Sequence, residues 1–143
     1  MTTNPAPITQ QIVDSSGLPT LPWVTFFNQT FLGDAGQAWT PNFVSLTQVG
    51  GNATITGRFY RVSRYLVYFR VDVTPVTSTS AVAGTTYIDN LPLAPTSNGF
   101  CTIVAGTTGG AIGIVRASDN RIYVPAWTAV TGTVTVLGIC EAQ

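Results

Sequence analysis

Few side chains in this sequence are able to carry chemistry. The acids are Asp14, Asp34, Asp72, Asp89, Asp119 and Glu141; the cations are Arg58, Arg61, Arg64, Arg70, Arg116 and Arg121. Histidine and lysine are absent. The usual general base, the usual transition-metal ligand and the Schiff-base amine are therefore all missing. Glycan cleavage needs two carboxylates facing each other across a bond. Asp14 and Asp34 fall in a leader and a turn, Asp119 falls in a hairpin turn, and Glu141 stands almost at the terminus. Asp72 and Asp89 are the one pair that adjacent strands could oppose, and a structural pairing of Asp72 with an arginine is the simpler reading. No glycine-rich loop precedes a helix in a phosphate-binding pattern. An enzyme is not expected, nor is a cofactor. Cys101 and Cys140 fit no metal spacing, and each sits in an apolar run, so buried free thiols are expected rather than a disulfide or a metal site.

Composition limits the partners. Charged residues are 8% of the chain against a usual level of about 25%, and the net charge is zero. Nucleic-acid binding needs several cations to displace counterions from phosphates. Four arginines do lie between 58 and 70, but Arg58 and Arg61 flank aromatic residues and Arg70 is next but one to Asp72, which reads as pairing across strands. No nucleic acid is expected. The start, MTTNPAPITQQ, lacks a basic region followed by an apolar run, and no window is apolar enough to span a membrane. Asn28 and Asn52 match the glycosylation acceptor pattern, which in a chain with 23 threonines is expected by chance. A surface of threonine, serine, asparagine and glycine, with so little charge, points to area hidden against copies of the chain or a partner.

The elements that would hold these residues are mostly strands. In the stretch 57–74, GRFYRVSRYLVYFRVDVT, one strand ends, the chain turns near Val62, Ser63 and Arg64, and a long strand follows. Tyr65, Val67, Phe69, Val71 and Val73 share one face of it; Leu66, Tyr68, Arg70, Asp72 and Thr74 share the other. Alternation of that length marks one buried face and one half-wet face. Further strands are expected at 42–49, 53–61, 85–90, 99–105, 110–117, 120–125 and 131–140. Gly50-Gly51-Asn52 and Ser118-Asp119-Asn120 are hairpin turn signals. Residues 74–84 and 92–98 read as connections, and 106–110 as a glycine–threonine loop. The expected fold is all-β, an antiparallel β-sandwich of jelly-roll type, over residues 36–143. Residues 1–35 are set apart. Pro5, Pro7, Gly17 and Pro19 favour an extended arm. Trp23, Phe26, Phe27 and Phe31 then recur at i, i+3, i+4 and i+8, which predicts a short aromatic helix over 20–33 that must bury its stripe against something.

Several blocks resemble small tail-fibre-type and receptor-binding virion proteins of tailed bacteriophages. They are Pro7-Ile8, Ile12-Val13-Asp14, Gly17, Pro19, and Trp23 with Phe26-Phe27; then Trp39-Thr40-Pro41, then 57–62 (GRFYRV) leading into the long strand. Ser63 stands where such proteins carry a turn glycine. The stretch 115–128 and Gly132-Thr133-Val134-Thr135-Val136 are similar to the distal parts of such fibres. The resemblance implies a homotrimer assembled in bacterial cytoplasm and carried on the virion, on the tail or another surface appendage. Val13, Asp14, Trp23, Phe26, Phe27 and Phe31 would dock the arm on other virion proteins. The β domain would meet a host cell-surface glycan or an outer-membrane receptor, through loops at 77–84, 95–99 and 106–110. The alternative is a decoration, head-fibre or adaptor protein with no receptor.

Overall fold

In the computed structural model, residues 36–105, 108–129 and 131–143 are described. The expected arm and aromatic helix lie outside them. The β domain, Gln37–Gln143, is a unit by itself. It is all-β, antiparallel and sandwich-like, without a helix among the described residues. In chain order the strands are β1 (Gln37–Trp39), β2 (Phe43–Val44), β3 (Thr47–Val49), β4 (Thr54–Arg61), β5 (Leu66–Thr74), β6 (Ser78–Ala81), β7 (Tyr87–Ile88), β8 (Gly99–Ala105), β9 (Thr108–Arg116), β10 (Arg121–Tyr123), β11 (Trp127–Ala129) and β12 (Val134–Glu141).

Nine of these form one sheet in the order β1-β4-β5-β12-β8-β9-β10-β7-β2; β11, β6 and β3 form a second, smaller sheet. The chain itself shows that the large sheet curls. β1 and β2 lie at its opposite edges, yet only residues 40–42 separate them. Nine flat strands would span about 38 Å at the usual spacing. Three intervening residues reach about 14 Å at most. Strand twist must therefore bring the two edges together around the core. The seam is fastened by side chains: the Asn42 N–H donates to Asn90 Oδ1 (2.6 Å), Asn42 Nδ2 to Asp89 Oδ1 (2.8 Å) and Asn90 Nδ2 to the Thr40 carbonyl (2.7 Å). Beside it, Trp39 and Pro41 lie over Gly57, where a Cβ would stand 2.7 Å from each of their side chains. A larger residue at 57 would lift β1 off β4.

The inner face of the curl is the core. On β5, Val67, Phe69, Val71 and Val73 are buried, as the alternation predicts. β12 repeats the pattern with Val134, Val136 and Cys140. Fully burying each branched side chain contributes about 1.5–3 kcal/mol. The small sheet adds Trp127, Ala129, Ala81 and Thr79, with the Trp127 indole N–H donating to Thr79 Oγ1 at 3.2 Å. Tyr65 departs from expectation: it lies in the turn and is half exposed. The turn dispenses with glycine because the Ser63 hydroxyl accepts the Leu66 N–H (3.1 Å), while the Val62 N–H donates to the Leu66 carbonyl (2.9 Å).

Three other expectations are corrected. The strand at 42–49 is broken at Ser45, whose φ of 60° turns the chain out of the large sheet and into the small one. Gly50 and Gly51 do take positive φ (83° and 131°), but they carry the chain from β3 in one sheet to β4 in the other, not around a hairpin. The connection 74–84 contains strand β6. The turn at 117–120 is a hairpin turn, with Arg121 opposite Arg116 and Asn120 at φ 55°.

Candidate functional site

Among the described residues, Asp72, Asp89, Asp119 and Glu141 each make side-chain contacts within the fold. Asp72 and Asp89 do not face each other, since four strands separate β5 from β7, and Asp89 belongs to the seam. Asp72 instead takes the Arg70 Nε–H at 2.9 Å and the Thr135 hydroxyl at 2.6 Å. Partial burial works to raise its pKa; the hydrogen bonds from Arg70 and Thr135 and the Arg70 charge outweigh that and hold the carboxyl below its ordinary value. A group depressed in this way stabilises the fold above its unfolded pKa, and loses that contribution as pH falls through the folded value. Asp72→Asn should therefore cost about 0.5–1 kcal/mol near neutral pH, the pair being half exposed on the arginine side. The gap to wild type should close in acid, below the folded pKa, as read from urea midpoints at the two pH values. A gap that stays constant across the range would deny the ion pair its role.

Cys101 and Cys140 are free and buried, and burial pushes the Cys101 thiol up to about 12. A thiol held protonated is a poor nucleophile and metal ligand. Among the described residues no three His, Cys, Asp or Glu side chains gather as a metal site, and no helix is long and apolar enough to cross a membrane. The cleft beneath Trp39, Phe59, Leu91 and Leu93 has room for about one water-sized sphere, too little for a ligand.

What remains is the outer face of the large sheet. Its register places Tyr60 opposite Tyr68, Tyr68 opposite Ile139, Ile139 opposite Phe100, Phe100 opposite Ile114, Ile114 opposite Tyr123, and Tyr123 opposite Tyr87. One unbroken apolar and aromatic row thus crosses seven strands on the side away from the core. Near its middle, Ile112 is 76% exposed, Phe100 56% and Val104 51%. An isolated exposed apolar side chain is ordinary, whereas a contiguous patch marks a surface that meets something.

The row ends in a cation–aromatic cluster. The Tyr87 and Tyr123 rings lie 5.4 Å apart, with Arg116 4.2 Å above Tyr123 and Arg121 4.3 Å above Tyr87. Asp119 accepts the Tyr123 hydroxyl at 2.8 Å and pairs with Arg116 at 3.5 Å. The guanidinium groups cover these rings, so the cluster stiffens the β9–β10 hairpin and leaves little ring face to a sugar. Trp127 is core; Tyr68, Tyr87 and Tyr123 are half-buried in the outer row.

The three loops expected to meet a receptor do not gather. Of the 106–110 segment, residues 106 and 107 lie outside the described residues, and 108–110 are not loop but the start of β9, near the Val134 end of β12. The 95–99 segment is pinned at the other end of β12, where the Thr96 N–H donates to the Glu141 carbonyl and Ser97 Oγ to Glu141 Oε2. Much of 77–84 is strand β6. Val13, Asp14, Trp23, Phe26, Phe27 and Phe31 lie outside the described residues. Alternation in 99–105 and 110–117 groups Phe100, Thr102 and Val104, and Ile112 and Ile114, each on one face of its strand, and the register shows that face to be the outer one.

The chain matches no protein-family model, no curated protein and no solved structure.

Proposed function

We propose that this chain is a structural protein of a bacteriophage virion, a trimeric tail-fibre or tail-tip protein that attaches the particle to its host. The observation that carries the reading is the exposed apolar row on the outer face of the β domain, a surface suited to binding. The virion assignment itself comes from the blocks around Trp23, Trp39 and Gly57. In this reading residues 1–35 dock on other virion proteins through Val13, Asp14, Trp23, Phe26, Phe27 and Phe31. The β domain, of jelly-roll type, projects outward toward a surface glycan or outer-membrane component.

One observation favours a second reading. Of the segments assigned to a receptor, 95–99 and 108–110 lie near opposite ends of β12, which suits a decoration, head-fibre or adaptor protein flanked by other virion parts.

Two measurements test the pair of readings. Trp23→Ala and Phe27→Ala should leave the purified protein folded and remove it from assembled particles. Particles with a full complement of either variant would overturn docking through the aromatic stripe. Purified wild-type protein should also compete with particles for adsorption to host cells. Normal incorporation without competition would leave the decoration reading in its place.

A further inference from the structure

We infer that the outer face of the large sheet, centred on β12, β8 and β9, is the surface through which copies of this chain meet. The inference rests on the trimer of the proposed function for the number of copies only; the location comes from the surface itself. The occupant must suit a face whose middle, with Phe100, Thr102, Val104, Ile112, Leu137 and Ile139, is uncharged, and whose charges Arg70, Asp72, Arg116 and Glu141 lie at the border. Arg70 and Asp72, at its border, already neutralise each other at 2.9 Å. A charged partner would have to strand its own ions against this surface, which is costly. A second copy offers the same neutral, apolar groups and strands none.

Area agrees. The four strands β5, β12, β8 and β9, each seven to nine residues long, present roughly 500 Å² at standard strand spacing and rise. Two such faces meeting bury about 1,000 Å² in total, at the lower limit for a specific interface.

The test uses the full chain, with light scattering after size exclusion. Ile112→Arg and Val104→Arg place a charge on the face, at side chains already in water, so folding is preserved. Val82→Arg is the control: it is 58% exposed but sits in a turn after β6 of the small sheet. The expected result is a wild-type mass of three chains, the same for Val82→Arg, and a mass of one chain for both face variants, all with a cooperative thermal transition. Face variants that remain trimers would overturn the location and leave trimeric assembly standing. A monomeric wild type would overturn both, and the face would then belong to a different protein.

Discussion

Phe69→Asp is expected to yield no cooperatively folded protein. Phe69 is 3% exposed on β5, paired with Phe59 on one side and Gly138 on the other, with the Trp39 ring edge-on at 6.5 Å. Removing a buried phenylalanine costs about 3–5 kcal/mol. The carboxylate that replaces it would have no cation in that environment, and burying an unpaired charge costs several kcal/mol more. The sum is comparable to the ~5–15 kcal/mol that holds a domain of ordinary size together. One residue further on, Arg70→Asp should cost far less, because that side chain is 51% exposed on the opposite face. The pair is read by near-ultraviolet circular dichroism and thermal unfolding. A cooperative transition in Phe69→Asp would sink the assignment of this face to the core.

The contrast between neighbours 69 and 70 was already legible in the sequence, because β5 alternates strictly over its whole length. The same physics made β12, the hairpin at 117–120 and the two buried thiols readable. Strand β6 was hidden by its letters. Ser78, Thr79, Ser80 and Ala81 look like a loop, yet Thr79 is buried because the Trp127 indole satisfies its hydroxyl. A threonine with its one polar group paired at long range behaves as an apolar residue, and nothing local announces the partner. Gly50 and Gly51 mislead in a related way. Their composition reports positive φ correctly, but positive φ turns a chain without saying which strand it meets next. The candidate interface was hidden for a third reason. Phe100, Ile112 and Ile114 look like core residues singly; only the register shows that they line up on the outside, Phe100 opposite Ile139, Ile114 opposite Tyr123 and Ile112 opposite Thr102. Sequence patterns assign a side chain to one of two faces. Which face is inner depends on what the other strands cover, and that is a property of the sheet.

Gly138→Ala should destabilise the domain by about 1–3 kcal/mol, and the loss should depend on Phe69. Gly138 needs no unusual backbone angle; it is glycine for lack of space. A Cβ there would enter the Phe69 ring, with Cε1 and Cε2 each 2.7 Å away. The ring cannot withdraw, since Trp39 and the β4 neighbour hold it. This is an aromatic ring laid over a cross-strand glycine, a device that also fixes strand register. A double-mutant cycle therefore reads the register directly. In a Phe69→Leu background the smaller side chain leaves room, so the added methyl should cost at least ~1 kcal/mol less than in wild type, well beyond the ~0.3–0.5 kcal/mol scatter of independent sites. Additive costs would mean that Phe69 does not lie over Gly138. Because a slip of one residue exchanges the two faces of β12, that outcome would also move Ile139 inward and break the exposed row on which the assembly surface depends.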